Sequence, residues 1–461
     1  MGIGGGWFSR AAGPVALAAL MLAALSAGCD RGGAKGEGSG EGAGEGAGEG
    51  GGASPSGPVE VTFWYSYGGK NKEVTEALIA QFNASHPAIK VKGTYQGDYF
   101  EALAKLRVAA RSSSGPVAAH VIGEALPELW TKGMVEDLEP YARGEGGATK
   151  LDEGDLIPAL TQDGYFDYHG QEVPLFALPF NRSTPIVYYN KRMFKEKGLS
   201  PPTTWEELRG HAAALTVREG EKTSVWGFEV PVDWWFWYGL LHQAGGRLLS
   251  EDGKRAAFGG EPGQRALQLL VDMATKDKTM RAPQGRDFNA WEAANTDFIN
   301  ERVAMIWTST AFLSFFQESA KFEFGTAFLP GDKVKAVPTG GTFFVISKKA
   351  GAKEKAAAWE FLQWMTATKQ TIYWSRNTGY MPVRRSALDD PEMKDFMAKN
   401  PDYMTAMNQL EHAVRFPFTT ALLEIQRNLL QPQLEAPVVG KGEVGEILTK
   451  AQADADKLLS R

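Results

Sequence analysis

The chemically useful residues of this 461-residue chain are hydroxyls, aromatic rings and carboxylates, with no motif that assembles them for a reaction. The sequence carries no GxSxG, Walker P-loop, HExxH or CxxC motif, and no GxGxxG following a strand. No cofactor is expected. His120 and Glu124 stand four residues apart, the spacing of a metal pair on a helix face. His120 falls in an expected strand, however, and a second histidine is missing, so no metal site is expected either. Carboxylates are plentiful without a pattern that singles out an acid–base pair, which leaves an exported glycosidase as the rival class. The run Trp234-Trp235-Phe236-Trp237-Tyr238 puts three tryptophans within four residues. They are awkward to bury together, so Trp234 or Trp235 is expected on a cleft wall, where a flat ring packs against polyol C–H groups or a choline-like cation. A structural aromatic patch under a loop is the alternative.

The elements that must position these groups read as alternating strands and helices. Val59–Tyr65 alternates as a first strand, 72–83 places Val74, Leu78, Ile79 and Phe82 on one helical face, and Ile89–Lys92 follows as a second strand. Strand, helix, strand predicts a parallel pair with a right-handed crossover. A helix over 99–110 and a strand over 117–122 continue the pattern. Further on, Thr203 or Thr204 caps a helix ahead of Glu206 and Glu207, Gln264–Thr275 is amphipathic, and 298–306 runs from a helix into a strand. A strand over 343–347, a helix over 353–365 and a terminal helix over 444–459 complete the reading. The stretch Leu178–Asn190 is organising: two prolines bracket an extended segment, and the β-branched and aromatic run after Pro185 reads as a buried strand. At 461 residues with 43% hydrophobic content, two cores are expected, and the net charge of −6 gives no polybasic surface for nucleic acid.

The N-terminus predicts export. Arg10 precedes an apolar run over 15–25, too short to span a bilayer comfortably, and Ser26, Ala27 and Gly28 lead to Cys29, the chain's single cysteine. The segment Leu25-Ser26-Ala27-Gly28-Cys29 resembles a bacterial lipobox, in which the cysteine carries a lipid; a plain secretory signal is the alternative. Residues 30–58, rich in Gly-Glu and Gly-Ala units, read as a disordered tether.

From Val59 onward, several blocks in matching order resemble the extracellular solute-binding proteins of bacterial ABC importers, most closely the branch for glycerol-3-phosphate and glycerophosphodiesters. They are Phe63-Trp64, Phe82–Pro87, Gly97-Asp98-Tyr99, Pro179–Asn190, Ala304-Met305, Gly340-Gly341 and Thr378–Pro382. The resemblance implies an α/β, two-lobed periplasmic-binding-protein type II fold with an interlobe cleft and hinge crossovers near Asn181 and Gly340, and a third crossing over 378–388. Lobe 1 is expected over 59–179 plus 340–388, and lobe 2 over 180–339 plus 389–461. The partners implied are a small polar solute, a permease with its ATPase, and a membrane held through the lipid anchor outside the cytoplasm; monomer is the family default.

The same resemblance implies the ligand-binding residues. Tyr99 and Tyr380 look like ligand tyrosines. Glu124, with Glu128 as rival, resembles the acidic residue that accepts from two solute hydroxyls. Ser183 resembles the crossover serine, and Ser309 with Thr310 stands where the family has a serine pair, read here as an anion cradle at a helix start. Gly340 and Gly341 look like the place where backbone approaches ligand, with a tight interlobe turn equally compatible. One departure stands out: Leu423 occupies the position of the branch's phosphate-gripping arginine. Arg427, one helical turn on, is the substitute if the segment is helical.

Overall fold

The structure, a computed structural model, describes residues 57–460 except 112–114, 165, 169–170 and 284–287. The apolar run, Cys29 and all but the last two residues of the glycine-rich tract lie outside the described residues.

The first strand, β1 (Val59–Tyr65), buries Val61, Phe63 and Tyr65 on one face, as its alternation demands. Helix α1 (Gly69–Ser85) lays Val74, Leu78, Ile79 and Phe82 against that sheet and returns the chain to β2 (Ile89–Tyr95), parallel to β1 in register Val59↔Ile89. Asp98 then starts α2 (Tyr99–Ala109) by accepting from the Phe100 and Glu101 N–H groups at 2.7 and 2.8 Å. Tyr99 is thereby fixed at the first position of the helix, directly beyond the end of β2. β3 (Ala118–Ile122), parallel to β1, is the third strand.

β4 (Leu178–Ser183) belongs to this first sheet as well, and β5 (Pro185–Asn190) to a second. Phe180, between the two prolines, is buried in the first lobe's core against Phe344 and Trp374, with centroids at 4.3 and 4.5 Å. The second sheet is built from β6 (Lys222–Glu229), β7 (Met280–Arg281), β8 (Val303–Ser309) and β9 (Phe324–Ala327) with β5, in the order β7-β6-β8-β5-β9. Its helices include α3 (Trp205–Leu215), capped by the Thr204 hydroxyl on the Glu207 N–H at 3.1 Å, α4 (Trp234–Gln243) and α5 (Phe288–Ile299). β10 (Gly340–Ile346) then returns to the first sheet, giving β2-β1-β3-β10-β4.

This is a two-lobed α/β fold, each lobe with its own sheet and apolar core. Phe63, Phe82 and Phe361 centre the first core, and Trp205, Trp237 and Trp307 the second. The chain passes between sheets at one place. Gly340 pairs with Ser183 and Gly341 with Arg182, and the Met381 N–H donates to the Arg182 carbonyl at 3.0 Å, so three crossings lie side by side. Pairing with Gly340 carries β4 through Ser183, so the change of sheet comes at Thr184, past the 179/180 limit read from the sequence.

Candidate ligand-binding cleft

The carboxyl ends of β3, β4 and β8, the amino end of β10 and the loop after β6 converge on one cavity of about 840 Å³, its open mouth included. Ile122, Ser183, Ser309, Gly340 and Asp233 supply its strand-end lining.

One wall is phenolic. Asn181, 1% exposed, donates from Nδ2 to the Tyr99 hydroxyl at 3.0 Å, while its Oδ1 accepts from the Thr342 N–H at 2.8 Å and from the Thr342 hydroxyl. The Tyr99 hydroxyl also lies 3.3 Å from the Tyr380 hydroxyl, where either oxygen can donate to the other. Tyr67 completes the group, its ring 4.7 Å from that of Tyr99. Burial pushes all three phenols up, so they remain neutral donors and acceptors.

The acidic group is Glu124, in a single turn (Gly123–Ala125) directly after β3. Burial pushes its carboxyl up to about 7; a backbone N–H and the Arg182 charge oppose the shift, while Asp163 and Asp233 add to it. The rival Glu128 does not line the cavity: it is occupied by Arg107 and by Lys132 at 2.8 Å. Beside the cavity Arg182 and Asp163, 1% and 2% exposed, form an ion pair at 2.9 Å, with a second Arg182 bond to the Thr339 hydroxyl at 3.0 Å. Burial pushes the Asp163 carboxyl up and the Arg182 guanidinium down, and their mutual attraction opposes both. His120 is a core acceptor instead of a ligand: its Nε2 takes the Ser66 N–H at 2.6 Å, and burial pushes its pKa down to about 3.

The aromatic run divides as helix periodicity requires. Trp234 and Trp235 line the cavity, whereas Trp237 points into the second core and donates to the Gly263 carbonyl at 3.3 Å. Asp233 sets their position by capping α4 through the Trp235 N–H at 2.8 Å, and it also accepts from Trp291 Nε1 at 3.2 Å. Trp291, from α5, lies 5.6 Å from Trp235 at 32° and widens the platform. Opposite charge comes from the C-terminal segment. Leu423 and Arg427 both line the cavity, because the intervening chain is helical, a π-type turn over Glu424–Leu430. The Arg427 guanidinium rests 3.2 Å from the centroid of Phe100.

One expectation needs correction. Thr310 does not reach the cavity: it is 2% exposed, starts a short turn, and its N–H donates to the Thr184 carbonyl at 3.1 Å. The Ala311 N–H is taken by the Ser309 hydroxyl at 3.1 Å, so the expected anion cradle has both of these donors committed internally. The glycines, too, have a reason beyond ligand approach. At Gly341, with φ +100°, a Cβ would sit 1.8 Å from the Asn181 carbonyl oxygen, and at Gly340 it would sit 2.9 Å from the Trp235 ring. Both line the cavity, but strand and indole packing already require them. The remaining site residues, Tyr99, Glu124, Ser183, Trp234, Trp235, Ser309, Tyr380 and Arg427, are brought together. Tyr67, Phe100, Asp233, Trp291 and Gln431 line the cavity without having been singled out. Only Asp233 left a sequence signal, an acidic cap before an apolar helix.

Residues 77–405 match the family model of bacterial extracellular solute-binding proteins. The sn-glycerol-3-phosphate-binding periplasmic protein UgpB of Pectobacterium atrosepticum is 26% identical over 426 residues, covering 89% of this chain and 93% of that protein. UgpB from Mycobacterium tuberculosis in complex with glycerophosphocholine superposes with a TM-score of 0.77 at 25% identity, covering 88% and 98% of the two chains. Lmo0181 from Listeria monocytogenes in complex with cycloalternan shares the fold, with a TM-score of 0.74 at 21% identity over 87% and 99%. The chain belongs to the bacterial extracellular solute-binding proteins.

Proposed function

We propose that this protein is the receptor of an ABC importer and captures a glycerophosphodiester or glycerol-3-phosphate in the cleft for delivery to a membrane permease. The observation that carries this reading is the placement of Arg427 on the cavity wall beside an aromatic platform and a neutral-leaning Glu124. The guanidinium offers a phosphate a planar pair of donors, the indoles of Trp234 and Trp235 offer a choline-like cation their π faces, and the tyrosine and serine hydroxyls bond the glycerol. The relatives of this chain are binding proteins of transport systems, which agrees with binding without turnover. Lobes divided at the three crossings would close about Asn181 and Gly340 as solute replaces water. Cys29 would carry the lipid that tethers a monomeric receptor outside the cytoplasm.

A second reading has its own support. Leu423 removes the expected cation, and Glu124 and Asp233 leave the cavity without a net positive charge, which suits a neutral mono- or oligosaccharide stacked on the tryptophans. Calorimetry with glycerophosphocholine, glycerol-3-phosphate and a maltooligosaccharide panel separates the two. The first reading expects the phosphodiester to bind and Arg427→Met to weaken it by tenfold or more, the scale of a bond to a charged group, about 1.5–3 kcal/mol. Saccharide binding insensitive to Arg427→Met supports the second, and turnover of any ligand rejects both in favour of an exported enzyme, a glycosidase where a saccharide is cleaved.

A further inference from the structure

A separate cavity of about 670 Å³, its open mouth included, lies along α4 and shares no lining residue with the cleft. Trp234 and Trp235, at the start of α4, line the cleft, whereas Tyr238 and His242, one and two turns further on, line this cavity. The segment Arg415–Phe418 lines it too, and that segment touches both lobes. Phe416 belongs to the second core, and Phe418 packs against the apolar cluster that includes Ile122 and Phe343 of the first sheet. The Arg415 carbonyl accepts from the Tyr238 hydroxyl at 2.5 Å, and its guanidinium donates to the Gln162 carbonyl at 2.5 Å. The cavity is thus set in a segment anchored on two sides.

Its chemistry is cationic. Arg247 and Arg415 both line it, and no carboxylate does among the described residues. His242 adds no charge, because burial and the neighbouring Arg247 push its pKa down to about 4. The lining hydroxyls are committed: Tyr238 donates to Arg415, and Ser250 donates to Asp252 at 2.6 Å. Arg247 does meet Glu251 at 2.7 Å, but those side chains are 55% and 85% exposed, so water screens the pair and it is weak. Each guanidinium presents a planar fork of N–H donors suited to phosphate or carboxylate oxygens. Leu248, Leu249, Phe416, Pro417 and Phe418 make the rest of the lining apolar.

We infer that this cavity is an anion site separate from the solute cleft, which takes a phosphate or carboxylate carried on an aromatic or acyl body, the anion on Arg247 and Arg415 and the body on Phe416 and Phe418. It does not depend on what the cleft binds. Calorimetry on the full chain at pH 8 tests it with phenyl phosphate, inorganic phosphate and benzyl alcohol. Phenyl phosphate is expected to bind more tightly than either the bare anion or the neutral ring. Arg247→Gln is expected to weaken it by about fivefold, the upper range for an exposed charge pair, and Glu251→Gln to strengthen it by about twofold by releasing the guanidinium. Both positions are exposed, and thermal unfolding confirms that each variant is folded. Arg427→Met, on the cleft wall, is expected to leave phenyl phosphate bound at this site within twofold. Absence of phenyl phosphate binding, equal affinity for inorganic phosphate or benzyl alcohol, or binding that follows Arg427 and ignores Arg247, overturns the inference. Vesicles of phosphatidylglycerol separate a free anion from a lipid headgroup: co-sedimentation that Arg247→Gln abolishes, without binding of phenyl phosphate, assigns the arginines to a membrane surface and also overturns it.

Discussion

Replacing Glu124 by glutamine isolates what a buried carboxyl contributes to stability and to recognition. Its carboxyl moves from an ordinary 4.5 to about 7 on folding, with burial as the main cause. Below the ordinary value both states are protonated and the side chain is a neutral acid. Between the two values the folded state binds the proton and the unfolded state does not, so stability falls as pH rises. Above pH 7 the penalty is complete. A shift from 4.5 to about 7 corresponds to about 3 kcal/mol at 1.36 kcal/mol per unit. Glutamine preserves the shape and the acceptor oxygen and carries no charge at any pH. In urea unfolding, Glu124→Gln should therefore match the wild type at pH 4.5 and exceed it by about 2–3 kcal/mol at pH 8.5. Equal stability at both values, or a loss at pH 8.5, would show that the Arg182 charge already compensates the burial. Binding carries the opposite diagnostic for each reading of the cleft. Glycerophosphocholine, whose phosphodiester does not titrate in this range, should bind less tightly as Glu124 ionises between pH 6 and 8, because like charges meet. A neutral sugar should bind more tightly, because a carboxylate accepts from two hydroxyls. Glu124→Gln should flatten either dependence.

Three further substitutions and one double variant test the seam between the lobes. Gly341→Ala places a methyl 1.8 Å from a backbone oxygen at a positive φ, so we expect a loss of at least about 3 kcal/mol by chemical denaturation. Gly340→Ala meets only the Trp235 ring and should be milder; equal losses would contradict this account. Asp163→Asn strands the Arg182 guanidinium in the interior and should cost about 3–5 kcal/mol. The double variant with Arg182→Met should recover part of that loss, and a strictly additive double variant would show that the pair is not coupled.

What the sequence disclosed, and what it withheld, follows from the range of the forces involved. Val59–Tyr65 and the helix facing it were legible because burial is periodic along the chain, so Val61, Phe63, Leu78 and Phe82 report one sheet without any long-range knowledge. A threonine cap was legible because a cap acts over three residues, and the structure decides for Thr204 over Thr203. The cleft is not local. Glu124 and Glu128 are chemically alike and one turn apart; only the positions of Arg107 and Lys132 decide which is occupied elsewhere. Ser309 and Thr310 are likewise interchangeable until the turn after β8 sends the threonine toward Thr184. Arg427 reaches the cavity because the segment is helical, which brings it to the same cavity as Leu423. Tyr67 is the most instructive omission. Where a backbone needs positive φ a glycine usually advertises it, and Gly68 and Gly69 stand next to it, yet the strain was placed on the tyrosine. A protein that tolerates such strain beside the cleft cavity gains a phenol at a position glycine leaves bare, and the contacts to Gly97 and Tyr99 are what hold it there.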